Sequence, residues 1–212
     1  MAMLLKVLTF INKVLLYYQR GNMVKRRFLA AREDLVGGVS SIAKDRHLTL
    51  YGVVNEALQQ VIRVEAMKRT LNEVVDEYMV VKTAKETGSI IVAEELLHPI
   101  VEKAYARERE PILKAWYEQG LWYGKIFPTQ FPNQDPLRVL EKVMQTLIWG
   151  TSDLAVSRER DGPVLRCIGP RFSQAYTVLL ATFLEGMIHA QGYQTMNKDV
   201  SRGVILITFS RK

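Results

Sequence analysis

Three cations stand side by side at Lys25, Arg26 and Arg27. Adjacent fixed positive charges suit a polyanion, because each can neutralise a phosphate and release a condensed counterion. Arg32, Lys44 and Arg46 follow closely and are candidates for further phosphate contacts. The plainer reading of the triple is an edge strand blunted by charge against aggregation. Acid–base or metal chemistry has a thinner basis. Glu185 and His189 are spaced i, i+4 and can meet on a helix, either as a reactive pair or as a surface hydrogen bond. His47 and His98 lie far from them in the chain. Asp76–Glu77 and Glu94–Glu95 are adjacent pairs whose members point to different helix faces, so they read as solvated surface. There is no Gly-rich phosphate loop, CxxC, GxSxG or HExxH. The expectation is a non-enzymatic protein with no metal and no cofactor.

The whole chain carries a net charge of +7 over 212 residues, which favours an acidic partner such as nucleic acid or simply keeps the protein soluble. The basic excess lies at the two ends. Residues 1–65 hold ten basic and five acidic side chains, residues 66–112 seven and nine, and residues 113–212 twelve and eight. Apolar residues make up 48% of the chain, enough to build a core and unlike a disordered protein. The single cysteine, Cys167, permits no internal disulfide and sits in an apolar run, so it reads as a small buried hydrophobe in a reducing, cytoplasmic setting.

Placing the basic triple requires the elements around it. Residues 25–31 form a short basic, half-apolar run. Leu35, Val39 and Ile42 then recur at i, i+4 and i+7, with Val36 and Ala43 widening the stripe. After a polar break, Thr49 is placed to cap a second helix whose Val53, Val54, Ala57, Leu58, Val61 and Ile62 share a face. About forty residues of strand, helix, capped turn and helix are too few to bury a core alone.

In order and spacing this stretch resembles the ribbon-helix-helix repressors of the Arc/MetJ type. That resemblance implies a homodimer whose paired strands enter the DNA major groove, with the second helix's first turn on a backbone phosphate. It places DNA contacts on Lys25, Arg26, Arg27, Arg32, Thr49 and Tyr51. The family usually has a glycine and then a hydroxyl residue between its helices; here Arg46-His47-Leu48-Thr49 keeps the hydroxyl.

Upstream, residues 1–22 are mostly apolar but interrupted by Lys6 and Lys13. The run is short for a transmembrane helix and lacks a signal-cleavage pattern, so membrane insertion is not expected. A packing helix, an interfacial anchor and a natural start at Met23 all stay open. Downstream, a helical pattern continues from Glu65 to Lys85 and Gly88 ends it. A short extended segment follows, then a helix from about Ala93 to Glu110 containing Pro99, which Pro111 closes. Residues 67–112 thus read as a helical connector.

Residues 112–134 are dense in aromatics. Beyond them the pattern reads as a helix from Pro136 to about Trp149, a hairpin turning at Asp161-Gly162, a helix from Ser173 to Gln191, and a second hairpin ending in Val204 to Phe209. The fold class expected for 113–212 is α+β, with an antiparallel sheet packed by helices. Trp149-Gly150, Phe183-Leu184-Glu185-Gly186, Gly192-Tyr193 and the hairpin from Asp199 to Phe209 resemble the domain shared by 4-vinyl-reductase-type proteins and TRAPP trafficking subunits. That resemblance implies an apolar small molecule bound near the long helix. The combined reading is a dimeric DNA-binding regulator of four parts: 1–22, 23–66, 67–112 and 113–212. Its alternative is an assembly or ligand-binding protein whose N-terminal unit only dimerises.

Overall fold

In the computed structural model, residues 27–160 and 162–211 are described. The chain divides into two compact units, with the division between Ile62 and Arg63. The class is α+β: among the described residues are seven helices and a four-stranded antiparallel sheet.

In the first unit, Arg27–Ala31 has no regular structure and is exposed. Helix α1 spans Glu33–Asp45 and α2 spans Leu50–Ala66. The turn between them depends on His47, whose φ of 54° lies in the left-handed region. Glycine adopts that conformation without cost and a side chain does so rarely. His47 therefore stands in the backbone role that a glycine usually fills between two such helices. Thr49 caps α2 as expected: the Gly52 N–H donates to Thr49 Oγ1 at 3.0 Å.

The second unit begins with a difference from the expected pattern. The helix read as continuous from Glu65 to Lys85 is broken at 67–70, where Lys68 has φ 56°. Helix α3, Leu71–Glu86, starts afresh behind a capping box. Thr70 Oγ1 accepts the Glu73 N–H, and Glu73 Oε2 accepts the Thr70 N–H at 2.7 Å. Helix α4 is Glu94–Arg107, with Pro99 inside it. Pro111 closes nothing: it lies in the first turn of α5, Arg109–Thr129, where a missing N–H costs no helical hydrogen bond. The aromatic stretch 112–129 is thus the long helix α5. Helix α6 is Pro136–Leu147, and it buries Leu137, Leu140, Val143 and Met144 along one side.

Strands β1 (Asp153–Glu159) and β2 (Gly162–Ile168) form the first hairpin. Asp161, half of the expected turn, lies outside the described residues. Helix α7 is Gln174–His189, and β3 (Tyr193–Ser201) and β4 (Val204–Arg211) form the second hairpin. The strand order is β1-β2-β4-β3. Register pairs Leu154 with Cys167, Cys167 with Ile205, Val156 with Leu165, and Leu165 with Ile207. These residues share one face, and all are buried in one core with Leu180, Leu184 and Met187 of α7. The residues read as a connector belong to this same unit: Val80 and Ala84 of α3 join that core, and Val101 of α4 packs with Ala175 and Leu179 of α7.

The free edge of β1 is covered by side chains. Glu141 Oε1 accepts the Val156 N–H at 3.0 Å, and Gln145 Nε2 donates to the Leu154 carbonyl at 2.9 Å. These two groups are thereby withheld from a stray strand. Burial also pushes the Cys167 thiol up to about 12, with the Asp153 charge adding to the shift. A thiol so held is a packing group and a poor nucleophile.

Helices α5 and α7 touch backbone to backbone. A Cβ at Gly120 would fall 2.1 Å from the Phe183 carbonyl oxygen, one at Gly124 2.4 Å from that of Met187, and one at Gly186 2.5 Å from that of Tyr117. Gly120→Ala is therefore expected to destabilise residues 63–212 by about 1–3 kcal/mol despite alanine's better helix propensity. Urea unfolding followed by tryptophan fluorescence reads the second unit alone, because Trp116, Trp122 and Trp149 all lie in it. Unchanged stability in Gly120→Ala would contradict the close approach.

Candidate functional site

The residues expected to meet DNA belong to the first unit. Lys25 and Arg26 lie outside the described residues. Arg27 is exposed ahead of α1 and has no ion-pair partner among the described residues. Arg32 stands at the N-cap of α1, where its guanidinium donates from Nε and Nη2 to Asp34 at 3.0 and 2.5 Å. The Arg32 hydrogen bond holds the Asp34 carboxyl below the usual range. Arg46 pairs with Glu56 at 3.1 Å, whereas Lys44 in the last turn of α1 pairs with no carboxylate among the described residues. Thr49 and Tyr51 stand together at the start of α2. The Tyr51 ring is exposed, and its carbonyl accepts Asn55 Nδ2 at 2.7 Å. The structure thus places Arg32 and the Thr49–Tyr51 pair at the N-termini of two successive helices.

What these helices leave uncovered is equally specific. In residues 27–62 the buried hydrophobic residues are Ala43 and Val53. Leu35, Val36 and Ile42 of α1 are exposed, as are Val54, Leu58, Val61 and Ile62 of α2. They belong to the stripes whose spacing predicts a core-facing side; of the other members Ala43 and Val53 are buried, Val39 is half-buried and Ala57 is exposed. An amphipathic pair in this state presents its apolar side to a partner.

A second polar cluster lies in the other unit, and only part of it was visible as a spacing. Glu185 and His189 approach to 4.0 Å with a third group engaging both. Glu185 Oε1 accepts the Thr195 hydroxyl at 2.5 Å, and Glu185 Oε2 accepts Lys198 Nζ at 2.6 Å. Because an ionised carboxylate only accepts, the Thr195 proton points at Glu185. His189 Nε2–H then donates to Thr195 Oγ1, 2.8 Å away, and Nδ1 is hydrogen-bonded to the Tyr117 hydroxyl at 2.9 Å. The chain Tyr117–His189–Thr195–Glu185 joins α5, α7 and β3.

Strict alternation places Thr195 and Lys198, three residues apart, on opposite faces of β3. A register shift between Thr195 and Asn197 brings both to the α7 side, where Thr195 pairs with Phe209 and Lys198 with Ile207. That bulge has no sequence signature, which is why these two residues are found only in three dimensions. Burial pushes the Glu185 carboxyl up, but the Lys198 and Thr195 hydrogen bonds, with the Lys198 charge, outweigh it and hold the carboxyl below its ordinary range.

The other carboxylates read as solvated are partly engaged: Asp76 pairs with Lys142, and Glu94 with Arg171 at 3.2 Å. A cleft of about 420 Å³ lies between α3 and α6, lined by charged residues including Arg69, Glu77, Arg138 and Lys142. Another of about 510 Å³ lies where α4 meets α5, around Lys103, Arg107 and Ile112. Between α7 and the sheet, where an apolar ligand is expected, Leu180, Leu184, Met187, Ile205, Ile207 and Phe209 fill the space with side chains 0–2% exposed. Among the described residues no group of three or more His, Cys, Asp or Glu is arranged to hold a metal, and no helix is long and apolar enough to cross a membrane. Comparison with known proteins finds no matching family model, no matching curated protein and no matching solved structure.

The ion pair at Glu185 gives a pH-dependent expectation. A carboxyl whose folded pKa is lowered stabilises the fold above its unfolded value near 4.3, and that contribution is lost as pH falls through the folded value. Lys198→Met removes the partner and should cost about 1–2 kcal/mol at neutral pH. Urea unfolding of both proteins from pH 7 down to about pH 3 should show the difference shrinking as the carboxyl protonates. A difference that stays constant over that range would mean Lys198 acts through packing.

Proposed function

We propose that this chain is a dimeric DNA-binding regulator. Two copies of residues 23–66 form a ribbon-helix-helix unit, and the α+β domain extends the dimer or senses a ligand. The observation that carries the reading is the uncovered apolar side of α1 and α2, which leaves a two-helix unit without a core. Three further features support it. Thr49 caps α2 at the position that resembles the family's phosphate-contacting turn. His47 adopts the backbone conformation of the glycine that the family usually carries there. The triple Lys25, Arg26, Arg27 precedes α1 in a segment whose exposed part, from Arg27 to Ala31, has no strand partner among the described residues.

The expected contacts are mostly to phosphate. Lys25, Arg26 and Arg27 from both protomers neutralise the backbone, Thr49 and Tyr51 present the start of α2, and Arg32 contributes once it exchanges Asp34 for a phosphate. If residues 25–31 pair as a strand, its faces would be Lys25, Arg27, Leu29, Ala31 and Arg26, Phe28, Ala30; neither is a polar triple, and base discrimination should be weak.

An assembly or small-molecule-binding protein is the second reading, with the N-terminal unit serving only to dimerise. The filled space between α7 and the sheet favours assembly over ligand binding within this alternative.

Titration of a labelled random duplex at several salt concentrations separates the two. Six phosphate contacts give a log–log slope approaching roughly −5, with affinity near 10⁻⁴ to 10⁻⁶ M. Replacing Lys25, Arg26 and Arg27 together by Ala should flatten the slope and leave the circular dichroism spectrum unchanged. Thr49→Ala should cost about 1 kcal/mol of helix stability and weaken binding only indirectly. Absence of binding at low salt, or an unchanged slope in the triple variant, would put the assembly reading first.

A further inference from the structure

Between α3 and α4 the chain runs through Ser89-Ile90-Ile91-Val92-Ala93 without regular structure. Ile90 is 83% exposed, Ile91 80% and Val92 39%. Three consecutive β-branched residues suit a strand better than any other conformation. Yet the main-chain groups of Ile90, Ile91 and Val92 bond to no other group among the described residues. The segment is anchored only at its ends. Ser89 N–H donates to the Ala84 carbonyl, the Ser89 and Tyr123 hydroxyls are hydrogen-bonded, and the Ala93 carbonyl accepts from Leu96 and Leu97 at the start of α4. Exposed uncharged strand-forming residues with unpaired main chain are a template for another strand. β1 shows the contrast, since two main-chain groups of its edge are engaged by Glu141 and Gln145.

We propose that the residues 89–93 pair antiparallel with the same segment of a second copy, forming a two-stranded ribbon about a twofold axis. A twofold contact requires one surface to be complementary to itself. Centring the pairing on Ile91 sets Ile91 opposite Ile91 and Ile90 opposite Val92, with Ser89 opposite Ala93 and no charge inside the ribbon. The net charges that flank it are of opposite sign. On one side the chain leaves α3, whose last turn carries Lys85 and also Glu86, the latter paired with Lys82 at 3.8 Å; on the other it enters α4, whose first turn carries Glu94 and Glu95. Antiparallel pairing brings the Lys85 end of one copy to the Glu95 end of the other. It also sets the negative C-terminal pole of α3 against the positive N-terminal pole of the partner's α4. Lys85 and Glu95 have no ion-pair partner among the described residues, whereas Glu94 is engaged by Arg171. Leu96 and Ile100, 65% and 64% exposed on α4, extend the apolar surface next to the ribbon. This contact is independent of DNA binding and of the N-terminal pairing.

Ile91→Cys tests it in the full chain, because its side chain is exposed and the native Cys167 is buried. Treated with a short bis-maleimide at micromolar concentration, Ile91→Cys should give a covalent dimer on a denaturing gel. Wild type and Tyr78→Cys, whose exposed position lies on α3 away from the ribbon, should stay monomeric. Adding Lys85→Glu to Ile91→Cys should lower the yield several-fold, because a carboxylate would then face Glu95 across the ribbon. Adding Glu95→Lys as well should restore it. Failure of Ile91→Cys to crosslink overturns the proposal. Crosslinking that ignores Lys85→Glu overturns the register, and with it the pairing described here.

Discussion

The backbone contact between α5 and α7 is the constraint on which residues 63–212 depend. Gly120 and Gly124 on one helix and Gly186 on the other let two main chains approach more closely than any side chain permits. That approach sets α7 flat against the sheet, so that Leu180, Leu184 and Met187 meet Ile205, Ile207 and Phe209. It also brings Tyr117 of α5 within hydrogen-bonding distance of His189, whose other nitrogen reaches Thr195 on β3. The apolar layer supplies most of the driving force, and the hydrogen-bond chain holds the three elements in one register.

The first unit obeys the opposite logic. Its helices are well patterned, α2 is capped by Thr49, and the turn between them is built around a left-handed His47. Still, Ala43 and Val53 are the only hydrophobic residues it buries among those described. Local structure is thus specified without a core to hold it. On the proposed reading a second copy supplies that core, since an identical stripe is complementary in size and polarity. This is the physical basis for reading the basic segment ahead of α1 as one half of a two-chain surface.

Much of this was legible in the residues. The hairpins, the long apolar α7, the cap at Thr49 and the burial of Cys167 follow from alternation, turn residues and helical spacing. Three features were not. The break before α3 is announced by Thr70-Leu71-Asn72-Glu73, yet apolar periodicity runs through it and hides the new start. Pro111 suggests an end and marks a beginning, because proline suits either side of a helix boundary. Thr195 and Lys198 converge on Glu185 only through a bulge, and a one-residue slip in strand register leaves no trace in composition. The exposed faces of α1 and α2 were read correctly as apolar stripes, but a stripe does not name what covers it.

The central claim is that the first unit is completed by its own copy. Sedimentation equilibrium of the full chain at micromolar concentration, compared with Ile42→Lys/Val54→Lys, tests it most directly, since both side chains are exposed in the single chain. The account predicts a dimer or larger species for the wild type and a loss of mass in the double variant. A compact wild-type monomer of 24.3 kDa that unfolds cooperatively would contradict it.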